Sequence, residues 1–185
     1  EPFNEQERED KKEILRQMEQ ADHILTRDNR NAHITVSAWI MDRDRKKVLM
    51  AYHNLYQSWA WLGGHADGDA DLKAVALKEI REESGLESIR FVTEDIFSLE
   101  ILTVDGHEKR GSYVPSHLHL NVTYLLEADP ELPLRIKEDE NSEIGWIGVE
   151  EIQRRSTEKW FVERIYSKLC KKAQSLRNGK LAIPE

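Results

Sequence analysis

The chain has 185 residues, enough for one domain with a substantial core, and 39% of them are hydrophobic, so neither disorder nor low complexity describes it. A formal net charge of −8 argues against non-specific binding to a nucleic-acid polymer. The one cysteine, Cys170, excludes an internal disulfide framework, residues 1–12 are strongly polar, and no apolar run approaches membrane length, so the expectation is a cytoplasmic protein with no membrane partner.

Along the chain, residues 5–29 predict a helix, with Ile14, Leu15, Met18, Ala21 and Leu25 on one stripe among many charges. This segment stands apart as an N-terminal helical extension over 1–32, ahead of a main domain over 33–185. Residues 33–41 and 47–53 predict two strands joined by the polar turn Asp42-Arg43-Asp44-Arg45. Residues 54–61 carry Tyr56, Trp59 and Trp61 ahead of a glycine turn at Gly63 and Gly64. A helix over 71–84 follows, then one or two strands within 88–104 and a polar loop over 105–116. A long strand over 116–127, a loop over 129–142 holding Pro130 and Pro133, and a short strand over 143–149 come next. Helices near 150–154 and 157–176 close the pattern. Strands and helices mix without a regular βαβ repeat, which predicts an α+β (mixed α/β) fold.

The helix over 71–84 carries the chemistry. Glu79, Glu82 and Glu83 stand at i, i+3 and i+4 and share a face. Their mean direction lies close to that of Leu72, Val75, Ala76 and Ile80, while Ala74, Lys78 and Arg81 fall on the other side. The acids therefore extend the apolar stripe. Like charges four apart destabilise a helix, and negative charge in a last turn opposes the helix dipole. Gly85, suited to the residue after a helix end, places them in that last turn. A bound divalent cation offsets both penalties, and clustered carboxylates suit Mg²⁺ or Mn²⁺. The bland alternative is a solvated acidic helix end.

With these residues in view, the chain resembles the Nudix hydrolases, whose pattern is G-x5-E-x7-R-E-U-x-E-E-x-G-U with U aliphatic. Gly64, Glu79, Ile80, Glu82, Glu83, Gly85 and Leu86 match it. Ala70 stands where the first glutamate belongs and Lys78 where the arginine belongs, two partners usually described as an orienting ion pair. The resemblance implies a mixed β-sheet sandwiched between helices over about residues 33–165. It implies a Mg²⁺- or Mn²⁺-dependent hydrolase that cleaves a diphosphate bond in a small, nucleoside-diphosphate-linked molecule. It makes Glu82 and Glu83 metal ligands, Glu79 a ligand or the acid–base group, and the Gly64 carbonyl a further ligand. A carboxylate from outside the motif is expected near the metals, with Glu100, Glu138, Glu140 and Glu143 as candidates and Glu143 or Glu140 preferred. A rival expectation is a catalytically weak Nudix-like domain that binds a nucleotide as a sensor. The resemblance and the N-terminal helix together allow a homodimer.

A second cluster stands on the long strand. His117, His119 and Asn121 alternate and point to one face, with Leu118, Leu120 and Val122 on the other. They are expected to line the substrate cleft, with a structural hydrogen-bonded face as the next reading. A separate zinc site comes last, because it needs a third ligand, for which His107 or His65 is the candidate. Lys109 and Arg110 in the preceding loop are candidates to meet a phosphate, although exposed loop cations are more often simply solvated. Trp39, Trp59, Trp61 and Trp146 are base-stacking candidates, although tryptophans at such positions are more often core.

Overall fold

Strand β1 (Ala32–Met41) is buried along its whole length, which marks it as the centre of a sheet covered on both sides. In a computed structural model that describes residues 1–109 and 111–177, it pairs in parallel with β9 (His117–Ala128) from Ala32 opposite Leu118 to Met41 opposite Glu127. The other pairings of this sheet are antiparallel. The far edge of β1 is shared: β2 (Lys47–His53) meets it only at Met41, while β4 (Leu62–His65) lies along it from Ala38 to Thr35. Strand β3 (Ser58–Ala60) pairs with β2. The free edge of β9 is shared in the same way by β5 (Ile89–Phe91) and β6 (Ser98–Val104). Strand β10 (Asn141–Gly148) extends the sheet beyond β2. A small hairpin, β7 (His107–Lys109) with β8 (Ser112–Val114), stands apart in the segment expected to be a loop.

Helix α2 (Leu72–Ser84) starts at Asp71, whose side chain accepts from the Ala74 N–H, and stops at Gly85 with φ 73°, a left-handed conformation that suits glycine. Its Val75, Ala76 and Ile80 pack on Val36, Ala38, Ile40, Val122 and Tyr124, the even-numbered face of β1 and β9. The odd-numbered face, with Trp39, Met41 and Leu125, is covered by a π-helical stretch (Phe161–Tyr166) running into α4 (Ser167–Arg177), preceded by the single turn α3 (Ile152–Arg155). The result is the expected mixed sheet between helices. Trp39 and Trp59 are buried in this second layer and Trp61 packs against it, so these tryptophans are core rather than a base-stacking platform.

Helix α1 (Glu5–Gln20) is shorter than the sequence pattern predicts. Beyond Ala21 the chain turns through His23, with φ 57°, and Asn29 donates to the Asp22 carbonyl at 3.1 Å. Short polar side chains that bond nearby backbone compete with helix in this way. Ile24 and Leu25 still reach the core, beside Ile14, Ile34 and Leu120. Among the described residues no helix is long and apolar enough to cross a membrane.

Candidate active site

The glycine turn lands in the middle of the sheet. Gly63 pairs with Ser37 and Gly64 with Val36, so the Gly64 Cα faces the α2 side. There the Glu79 carboxylate lies against it: a Cβ on Gly64 would stand 2.7 and 2.8 Å from its two oxygens. Glu83, one turn further on, is 5% exposed and accepts the Gly63 N–H at 3.3 Å. No lysine or arginine among the described residues reaches ion-pair distance of Glu83. Burial, opposed in part by the Gly63 bond and reinforced by the charges of Glu79 and Glu140, pushes its carboxyl up to about 8. Burial also raises Glu79. Glu82 is the exposed member of the trio.

Cations stand around this group at longer range. Lys78 places its Nζ 3.8 Å from both Glu79 and Glu82. Lys137 is 3.0 Å from Glu140 and 3.9 Å from Glu82. Arg27 makes a two-pronged pair with Asp67, just past the glycine turn, at 2.8 and 2.5 Å, and feels the charges of Glu79 and Glu140. Ala70 is exposed just ahead of the helix cap, and its neighbours Asp69 and Asp71 serve that cap: Asp69 accepts the Asp71 N–H at 2.8 Å.

On the opposite face of the sheet the histidines gather. His117 and His119 are half-buried and 5.0 Å apart between ring centroids, and both lie about as close to His33 of β1, at 5.0 and 5.1 Å. His65, the residue after Gly64, is 4.9 Å from His119. Asn121 behaves differently from its neighbours. It is buried, its Oδ1 accepts from Thr35 and Ser37 at 3.0 Å each, and its Nδ2 donates to Glu100 and Thr123 at 3.1 Å each. Its hydrogen-bonding capacity is spent inside the protein, so it does not line a wet cleft. Glu100 is likewise committed, paired with Lys168 at 2.9 Å with both side chains buried.

The NUDIX domain family model matches residues 31–169. The chain belongs to the NUDIX family. It is therefore a hydrolase of the kind that acts on pyrophosphate bonds. No curated protein sequence matches it. Among solved structures it is similar to an Ap4A hydrolase from C. elegans, at 17% identity and TM-score 0.55, over 80% of this chain and 98% of that one. It is similar to a UDP-X diphosphatase at 15% identity and TM-score 0.57, over 90% of this chain and 72% of that one. A NUDIX-family hydrolase from Clostridium perfringens aligns at 18% identity and TM-score 0.50, over 75% of this chain and 97% of that one. At these identities the likeness is one of fold.

Of the residues picked out in this NUDIX chain from sequence, Gly64, Glu79 and Glu83 come together, with Glu82 at the rim. Of the outer carboxylates, Glu140 is the one whose charge acts on Glu79 and Glu83. Glu143 is exposed on β10 opposite Tyr52 and is not among those influences, and Glu138 is exposed. Arg110 lies outside the described residues, as does the side chain of Lys109. Lys137, Arg27 and His33 were not singled out. Lys137 sits in a charged run whose members look alike in sequence, and Arg27 lies in a stretch predicted as plain helix. His33 meets His119 only through the parallel register of β1 and β9, which no local pattern encodes.

Proposed function

We propose that this NUDIX hydrolase cleaves a diphosphate bond in a small, nucleoside-diphosphate-linked molecule, with Mg²⁺ or Mn²⁺ as its cofactor. One observation carries the reading: Glu83 is buried with no lysine or arginine at ion-pair distance among the described residues, one turn from a Glu79 carboxylate pressed against a glycine main chain. Burying a carboxylate so is costly unless a cation neutralises it. The donors are all oxygens, carboxylate and main-chain carbonyl, which fits a hard dication. Glu82, Glu83, Glu79 and the Gly64 carbonyl would hold it. Bound there, it neutralises diphosphate oxygens and stabilises charge as the bond breaks.

The chain's own groups do the rest. Gly64, without a Cβ, lets Glu79 lie flat against the turn. Burial raises the proton affinity of Glu79, which suits its carboxylate to take a proton from the attacking water. Lys78, at the position of the motif's arginine, stands 3.8 Å from both Glu79 and Glu82 on the solvent side. Glu140, tethered by Lys137, supplies the outer negative charge.

The test is Glu83→Gln, assayed on a panel of nucleoside-diphosphate-linked compounds with Mg²⁺ and Mn²⁺ and read by chromatography. Loss of at least about 100-fold in turnover is expected. Turnover within tenfold of wild type sinks the role of the acid group. A second reading, nucleotide binding with little hydrolysis, draws on the uncharged Ala70 in the motif. Calorimetric binding without product over long incubation would favour it.

A further inference from the structure

We propose that His33, His117 and His119 form a second metal site, for a transition dication such as Zn²⁺, on the sheet face opposite the acids. The site stands independently of the diphosphate reading. One ring nitrogen from each histidine lies within 4.8 Å of the others. The Nε2 atoms of His117 and His119 are 3.2 Å apart. Two imidazole nitrogens on a tetrahedral zinc, each about 2.0–2.1 Å from the metal, stand about 3.3 Å apart. That pair is already at ligand spacing.

The tautomers point the same way. His117 Nδ1 is 2.9 Å from the Pro115 carbonyl, and His33 Nδ1 is 3.0 Å from the Asn29 carbonyl. A carbonyl only accepts, so each Nδ1 carries the hydrogen and each Nε2 presents a lone pair. Histidines that bind metals are held in this way, with the outer N–H donated to a carbonyl or carboxylate. His119 Nε2 can donate to His117 Nε2, but that leaves His33 Nε2 unserved. That atom is buried without a hydrogen-bond partner, on a residue 4% exposed. An orphaned acceptor in the interior is costly. A cation that accepts all three lone pairs removes the penalty.

Neutral imidazole is the form that binds a metal. Nitrogen donors select Zn²⁺, Ni²⁺ or Cu²⁺ over Mg²⁺. The two faces of the sheet therefore sort ions by hardness. Strand β4 carries both, Gly64 toward the oxygen donors and His65 toward the nitrogen donors. Three protein nitrogens leave one tetrahedral position open, as in zinc sites that keep a water.

The experiment strips the whole chain with chelator, then titrates Zn²⁺ against a chromogenic chelator in excess Mg²⁺. The expected result is one Zn²⁺ per chain. Affinity should fall at least about 100-fold in His117→Gln and in His119→Gln. It should persist in Glu82→Gln/Glu83→Gln. No Zn²⁺ on the wild type, equal affinity in the histidine variants, or loss confined to the acid variant overturns the proposal. Ring ¹⁵N spectra of the wild type keep the test decisive should a variant fail to fold. Zn²⁺ should shift the Nε2 resonances of His33, His117 and His119, and their staying in place overturns the site.

Discussion

Gly63 and Gly64 are neighbours with opposite tasks, and an alanine at each separates them. A Cβ on Gly64 meets the Glu79 carboxylate, the far end of a flexible side chain that can swing away. Gly64→Ala should therefore cost less than about 1 kcal/mol in stability while lowering turnover at least about tenfold, because Glu79 leaves its place. A Cβ on Gly63 meets the Val36 carbonyl and, at 2.9 Å, the Ser37 Cα, both main chain. Gly63→Ala should push β4 off β1 and cost about 2–3 kcal/mol, seen as a lower denaturant midpoint. Equal stability losses in the two variants would contradict this division. The glutamate trio was legible because helical spacing is local: Glu79, Glu82 and Glu83 declare a common face within one turn. Asn121 shows the limit of such reasoning. Alternation told which face it points to, but depth depends on what covers that face, and Thr35, Ser37 and Glu100 arrive from other strands.

At the scale of elements, α1 closes the exposed edge of β6. The Leu99 N–H donates to Glu7 at 3.2 Å and the Ile101 N–H to Asp10 at 2.9 Å, so helix side chains cap donors that a bare edge strand would leave open. Lys172 of α4 holds the Glu7 carboxylate at 2.9 and 3.1 Å. Burial alone would raise the Glu7 pKa, but the Lys172 bond and charge, the Phe3 N–H and the Lys168 charge outweigh it, and the net shift is downward. A carboxylate whose folded pKa lies below its unfolded value of about 4.5 contributes stability in full above that value and loses it as pH falls through the folded one. The protection of the Leu99 amide against hydrogen exchange, relative to its intrinsic rate, should fall across that acid window, and Glu7→Gln should remove that pH-dependent loss of protection. Protection at Leu99 that ignores both pH and the substitution would show that Glu7 does not hold the helix down. The pattern of the sequence announced this helix through Ile14 but not its end, because the polar turn at Asp22 and Asn29 interrupts a stripe that Leu25 continues in the sequence. The β7–β8 hairpin was missed for a different reason: its strands are three residues each, too short to carry a period-two signal.

For the molecule as a whole, a polar seam crosses the odd-numbered face of the sheet between the histidines and the Trp39 layer. It runs from Thr35 and Ser37 through Asn121 and Thr123 to Glu100, and on to Lys168 of α4. This seam ties α4 to the strands that carry His33, His117 and His119, so it fixes the sheet to its covering helix where the apolar layer ends. Such long-range pairing was outside the reach of local pattern, which offered Glu100 only as a candidate metal carboxylate. A buried pair is costly to assemble, and replacing both partners with neutral groups is often nearly harmless, whereas removing one strands the other. Lys168→Met leaves Glu100, 0% exposed, without its cation. It should cost about 3–5 kcal/mol in denaturant unfolding. Adding Glu100→Gln should restore most of that loss, because a glutamine oxygen still accepts from Thr123 while no charge remains buried. If the single variant costs less than about 1 kcal/mol, or the double is no better than the single, the seam does not join α4 to the sheet in the way its geometry implies.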